Sequence, residues 1–268
     1  MRPLSERKPS VSRIPTWKGR LFFGSLRLMY VGPLGETRPH AHHSFQILLS
    51  LGEPVALRDR GQRVVTCHAS VIPPDVEHTV VGGAGSVVLL HVNPDDLVGR
   101  RLRTLGIGAE ADAWRYAGEP LRTCAVQSPP RRWAESEALA QALLQALQAD
   151  TGAPPPSHPA IKKLLRLLPE VLEEDVRLSA LAPRVGLSAG RLSHLFGAEV
   201  GLPLRPYVLW LRLQRAAGDL RKGATLTQAA HAAGFTDSAH LSHAFRRTFG
   251  ITPSEIAGVV DWVLPPPE

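Results

Sequence analysis

At 268 residues the chain has room for two compact domains, each large enough to bury a core. It is 44% hydrophobic and 21% charged, and no apolar run reaches the roughly 18 to 20 residues of a membrane span, which excludes a helical membrane protein and a low-complexity chain. The formal charge of +7, split as +4 over residues 1–157 and +3 over 158–268, permits a polyanionic partner such as nucleic acid without locating a binding face.

The first twenty residues, "MRPLSERKPSVSRIPTWKGR", are basic but lead only into the short, strand-like "LFFGSLRLMYVG" with no cleavage site, so no signal peptide is expected. Cys67 and Cys124 form no CxxC pair, which suits a reducing cytoplasm. From about residue 20 to 95, runs such as "SFQILLSL", "QRVVTCHASVIP" and "SVVLLHVNP" alternate with Gly, Pro and Asp turns roughly every ten residues, the pattern of a small antiparallel barrel or sandwich. Residues 132–150, "RWAESEALAQALLQALQAD", favour a helix with Leu139, Leu143, Leu144 and Leu147 on one stripe. That stripe needs a cover: either its own barrel, or a second copy of the chain in a homodimer of paired helices. "TGAPPPSHP" then stops the helix, and everything after His158 reads as helical. The expected organisation is an α+β chain with a sensor domain over 1–131, a linker helix and Pro-rich hinge over 132–157, and a helical domain over 158–268.

Within the helical part the sequence repeats itself: "LSHLFGAEVG" (192–201) and "LSHAFRRTFG" (241–250) share Leu, Ser, His, Phe and a closing Gly. Each copy follows a short helical segment and a Gly turn, which makes two helix-turn-helix units. Leu192 and Phe196, like Leu241 and Phe245, fall four apart and point inward, leaving Ser193, His194, Ser242 and His243 to face solvent or a groove. Thr225 and Gln228 have capping-box spacing, and Gly234 suits a tight turn. Between the units, "PYVLWLRLQRAAGDLRKG" reads as a helix of about 15 residues that packs through Tyr207, Leu211 and Leu220 and keeps Arg212, Arg215 and Arg221 polar. Two units on one such connector can enter successive major grooves about 34 Å apart.

With "LAPRVGLSAGRLSHLF", "YVLWLRLQRAAGDL" and "QAAHAAGFTDSAHLSHAFRRTFGITP", residues 158–268 resemble the DNA-binding domain of the AraC/XylS family of transcription regulators. The resemblance implies base-facing roles for Gly190, Ser193 and His194 in the first recognition helix and for Ser238, Ala239, Ser242 and His243 in the second. It further implies phosphate contacts at Arg191, Arg246 and Arg247. Three features depart from the pattern. Pro183 falls inside the first unit's leading helix and is expected to kink or shorten it. Arg177 stands where a capping Ser or Thr is expected. The tail "PSEIAGVVDWVLPPPE" lacks the family's common Tyr-Arg ending.

The N-terminal half carries six of the eleven histidines. In "GETRPHAHHSFQILLSLG" and "IPPDVEHTV", the residues Gly35, His40, His42, Gln46 and Gly52, then Pro73, Asp75 and His78, resemble the two cupin motifs, with Gln for the usual Glu and Asp for a Gly. A cupin-like barrel of jelly-roll type is therefore expected. His40, His42, Gln46 and His78 are its candidate site, either for a divalent first-row metal ion or as the lining of a small-molecule effector pocket. His43, His68 and His91 are assigned to neither. The reading that follows is a cytoplasmic transcription regulator, an activator, that binds double-stranded DNA and RNA polymerase and responds to an effector. The alternative is a metal-dependent cupin enzyme tethered to a DNA-binding domain. The missing Glu, and the lack of an acid-base pair beside the histidines, favour the regulator.

Overall fold

The computed structural model describes residues 18–24, 27–82, 84–149, 158–256 and 260–265. The N-terminal basic segment to residue 17 and most of the Pro-rich hinge lie outside the described residues. In the N-terminal half the short β-branched runs form β1 (Gly19–Phe23), β2 (Arg27–Leu34), β3 (Phe45–Ser50), β4 (Val55–Asp59), β5 (Val64–Cys67), β6 (Ala69–Ile72), β7 (His78–Gly82) and β8 (Ala84–Val92). A further strand, β9 (Val260–Val263), comes from the other end of the chain. The strands make two sheets, one in the order β6-β3-β8-β2-β1-β9 and one in the order β5-β4-β7.

Alternation decides which side chains meet. Leu28, Tyr30, Leu48 and Leu89 on one face of the large sheet pack with Leu57, Val65 and Val80 of the small sheet. Their neighbours Met29, Val31, Ile47, Leu49 and Leu90 point to the opposite face. That face is also buried, which is why these strands read as continuous apolar runs rather than as alternating ones. Three helices follow β8: α1 (Leu97–Arg103), α2 (Ala111–Gly118) and α3 (Trp133–Ala146). The leucine stripe lies on α3 and the residue that ends it. Leu143, Leu144 and Leu147 are almost fully buried with Val31, Ile47 and Leu90, on the outer face of the chain's own sheet. Of the two covers expected for the stripe, the chain's own sheet is the one seen for these three leucines, with Leu139 partly buried beside them.

The helical part runs α4 (Pro159–Leu167), α5 (Leu178–Arg184), α6 (Ala189–Val200), α7 (Leu204–Arg221), α8 (Leu226–Ala232), α9 (Ser238–Phe249) and α10 (Pro253–Ile256). The two units are α5-α6 and α8-α9, and the internal repeat is structural as well as sequential. Ser188 caps α6 by accepting from Arg191 N, and Asp237 caps α9 by accepting from His240 N. Both helices are 12 residues long and end on a left-handed glycine, Gly201 or Gly250, each with φ 77°. Only glycine takes that conformation without strain from a Cβ. The Thr225–Gln228 capping box is present on α8. Pro183 does not shorten its helix: α5 has seven residues, as does α8. Its position next to the C-terminus limits the loss to a single backbone hydrogen bond. Arg177 makes no side-chain cap and pairs with Asp175 instead.

The two halves share one core. Phe23 at the end of β1 is wholly buried and meets Trp210 of α7 and Phe249 of α9 edge-on, with ring centroids 6.1 and 5.5 Å away. Trp210 and Phe249 are themselves 5.3 Å apart. The unusual tail resolves here too, since β9 pairs in parallel with β1, Leu21 opposite Trp262, and extends the barrel's large sheet. Gln214 Nε2 of α7 donates to Phe23 O at 3.2 Å. Truncating a fully buried phenylalanine costs about 3–5 kcal/mol. Phe23→Ala is therefore expected to lower the stability of the whole chain by about that amount, with strands and helices melting in one calorimetric transition. Two separated transitions in the parent protein would contradict a shared core.

Candidate functional site

On α6, Gly190, Arg191, Ser193 and His194 are exposed while Leu192 and Phe196 are fully buried. On α9, Ala239, His243, Arg246 and Arg247 are exposed and Leu241 and Phe245 are buried. Ser238 and Ser242 are half-buried, and the Ser242 hydroxyl donates to Ser238 O at 2.8 Å, which leaves it chiefly an acceptor toward a base. A cleft of about 930 Å³ between the two units brings together Ser193, His243 and Arg247. It also contains His240, which the sequence analysis passed over; its Nδ1 lies 3.0 Å from the Thr236 hydroxyl. The repeat could not flag His240, because the first copy has Arg191 at that phase. Arg246 turns the other way and lines a second cavity, between α9 and the barrel.

α7 fixes the distance between the units. Arg212, expected to stay in solvent, is half-buried and donates from Nη2 to Leu172 O at 3.0 Å. A Cβ on Gly234, which has φ 78°, would touch the same guanidinium. One arginine thus bridges the end of the α4 region to the turn of the second unit. Burial lowers its pKa.

The barrel histidines converge as the cupin resemblance implied. The ring nitrogens of His40, His42 and His78 offer one ligand atom each, all within 4.8 Å of one another. His42 and His78 are 1% exposed, so water hardly reaches them. The Nδ1 atoms lie 2.9 Å from Arg38 O (His40), 3.0 Å from Ser44 O (His42) and 3.0 Å from Val76 O (His78). A carbonyl can only accept, so each Nδ1 carries the proton and each neutral ring keeps its lone pair on Nε2. His78 Nε2 is buried without a hydrogen-bond partner. His42 Nε2 lies 3.1 Å from Gln46 Oε1, so two acceptors face each other, a repulsion removed by a cation between them or by the amide turned end for end. Three oriented imidazoles, a bare buried nitrogen and an amide oxygen are a donor set that fits a divalent first-row transition metal.

Asp75, in the place of a motif glycine, adopts φ 62°, a conformation that aspartate tolerates better than most residues. Its N–H donates to His42 O at 2.9 Å, and its carboxylate holds His43 Nδ1 at 2.8 Å. His91, assigned no role from the sequence, stands directly opposite Gln46 in the β3–β8 ladder. Its Nδ1 pairs with the Ser44 hydroxyl at 2.9 Å. Strand register was the signal that could have found it.

The cluster abuts the second recognition helix. His43 N donates to Arg247 O at 2.6 Å, and Ser44 Oγ donates to Thr248 O at 2.8 Å. The His91 ring lies 5.8 Å from that of Phe249. The cavity beside it, about 820 Å³, is lined by Tyr30, Gln46 and His91 from the barrel and by Arg246, Phe249 and Ile256 from the helical part.

A helix-turn-helix domain model matches residues 181–258, which span both units from α5 to α10. That part of the chain is similar to the DNA-binding domains of AraC-type transcription regulators. The transcriptional activator RhaS of Escherichia coli is 35% identical over 94 residues, covering 35% of this chain and 34% of its own. A transcriptional regulator with an AraC-type DNA-binding domain from Chromobacterium violaceum is 33% identical, covering 36% of this chain and 88% of its own, with a TM-score of 0.34. Apo ToxT from Vibrio cholerae aligns over 89% of this chain and 99% of its own at 13% identity and a TM-score of 0.45. The matches span about a third of the length of the curated relatives.

Burial, before any other cause, pushes the His42 pKa down to about 4 and those of His78 and His91 well below their usual value. The unfolded chain takes up protons as pH falls through about 6.5, whereas the folded cluster resists. Stability from these histidines is therefore present above pH 6.5 and lost on acidification toward 4. His42 alone contributes on the order of 3 kcal/mol. Thermal unfolding of chelator-treated protein is expected to give a lower Tm at pH 5.5 than at pH 7.5, with the gap narrowed in His42→Phe.

Proposed function

We propose that the chain is a cytoplasmic transcription activator that reads double-stranded DNA with α6 and α9, recruits RNA polymerase, and takes its signal as a small molecule or metal ion in the barrel. The observation that carries this reading is the pair of equal, identically capped recognition helices held by α7, with His194 and His243 exposed at the same phase. A histidine can donate to guanine N7 or O6, and arginines at the helix ends suit phosphate. The activator sense follows RhaS, which is named as one. An enzyme tethered to DNA would instead turn over a substrate when supplied with Fe, Mn, Ni or Zn.

The test is to select duplex fragments with the full chain and sequence them. Arg191→Ala and Arg247→Ala are expected to weaken binding to all sequences alike and to lower the salt slope by about one each. His243→Ala is expected to relax preference at one base pair, at a cost of about 1–3 kcal/mol. An unchanged selected motif in His243→Ala would remove its reading role.

A further inference from the structure

We propose that a divalent transition-metal ion held by His40, His42 and His78 is the signal, and that residues 40–44 carry its presence to the last turn of α9. The proposal rests on the regulator reading above and specifies its ligand and its route.

The segment "HAHHS" has two jobs within five residues. His40 and His42 turn their Nε2 atoms into the cluster, where His78 Nε2 stands buried without a partner. The adjacent His43 N–H and Ser44 hydroxyl turn the other way and satisfy Arg247 O and Thr248 O. Those are carbonyls of the last turn of α9, which a helix leaves without intrahelical donors. The ligand-bearing segment is therefore also the C-terminal cap of the DNA-reading helix. Contact between the two is direct at Gly250, where a Cβ would come within 2.7 Å of His40 Cδ2 and 3.3 Å of His42 Cδ2.

The segment also meets β7 at the isolated antiparallel bridge between His40 and His78, and the turn before β7 holds it through Asp75 N, which donates to His42 O. The converging Nε2 lone pairs repel one another in a buried site, and a cation between them turns that repulsion into attraction. An ion shared by His40, His42 and His78 pins the segment to β7 and so fixes the cap that positions Arg247 and, one turn before it, His243. Linkage makes the effect reciprocal: whatever tightens the cap tightens the ion.

The experiment uses the full chain without an affinity tag, stripped by chelator, then titrated separately with Zn²⁺, Ni²⁺, Mn²⁺ and anaerobic Fe²⁺. Binding is read by elemental analysis after dialysis and by thermal shift. Affinity for a selected DNA fragment is measured with and without each ion. One ion per chain is expected, with DNA affinity changed by at least about fivefold. His42→Ala and His78→Ala are expected to weaken ion binding at least tenfold.

Ser44→Ala keeps all three ligands and the carbonyl that orients His42. It is expected to bind the ion yet lose most of the ion's effect on DNA. Gly250→Ala, in the DNA-reading half, is expected to weaken ion binding by displacing His40, and if it fails to fold, Ser44→Ala decides the coupling alone. Less than about a tenth of an equivalent of any metal, with no thermal stabilisation, overturns the site and leaves the cavity to an organic effector. Ion binding that leaves DNA affinity unchanged overturns the coupling. Loss of DNA binding in every state, with the ion still bound, overturns the regulator reading and not the site.

Discussion

A helix that ends inside a protein must find donors for its last carbonyls, and this structure is organised around that requirement at the end of α9. Gly250 N satisfies Arg246 O within the helix, while Arg247 O and Thr248 O depend on His43 and Ser44 of the barrel. Phe249, between those carbonyls and the cap, enters the ring cluster of Phe23 and Trp210. Polar and apolar contacts therefore coincide on one turn. A barrel seated elsewhere on the helices would leave buried carbonyls unpaired at about 1–3 kcal/mol each and expose three aromatic rings. Docking of the two halves is specified, not incidental, and β9 crossing back to pair with β1 reinforces it.

Much of this was legible, and the legible parts share a cause. Leu192, Phe196, Leu241 and Phe245 were placed inward from helical spacing alone, because local periodicity fixes which face a helix buries. The capping box at Thr225 and the turn at Gly234 follow equally local rules. His40, His42, Gln46 and His78 were found through the cupin resemblance, and they meet because the segment before β3 is bridged to the start of β7 at His40 and His78. What stayed hidden required knowing which strand lies beside which. Gln46 and His91 are 45 positions apart and become neighbours only through the β3–β8 register. The β9 tail showed no partner in sequence, since a parallel pair joins residues separated by almost the whole chain. The leucine stripe of α3 was visible as a stripe, but amphipathicity says only that a face is covered, never by what.

The same reasoning explains why an arginine misled. Arg212 sits on a connector helix among Arg215 and Arg221, and side-chain chemistry argues for solvent at all three. Its long stem runs along the core while the guanidinium reaches Leu172 O, so its burial is a property of the tertiary position and not of the helix. The consequence is mechanical: the two units are tied by α7 and also by a polar strut from the α4 region to α7 at the Gly234 turn.

The barrel meets the first unit where it meets the second. A Cβ on Gly201, the left-handed cap of α6, would run into Leu97 of α1, just as one on Gly250 would run into His40. Both α6 and α9 thus present a glycine cap to the N-terminal half, with no side chain between them and it. Glycine is required at each for its positive φ, and its bare α-carbon then allows the close approach. The equivalent point of each repeat became a contact between the two halves. The exposed faces of α6 and α9 carry Ser193 and His194 on one and His243 and Arg247 on the other. His43, Asn93 and Asp95 of the N-terminal half line the same cleft as Ser193, His243 and Arg247, so the two halves share a surface as well as a core, and a shift of one half against the other alters the shape of that cleft.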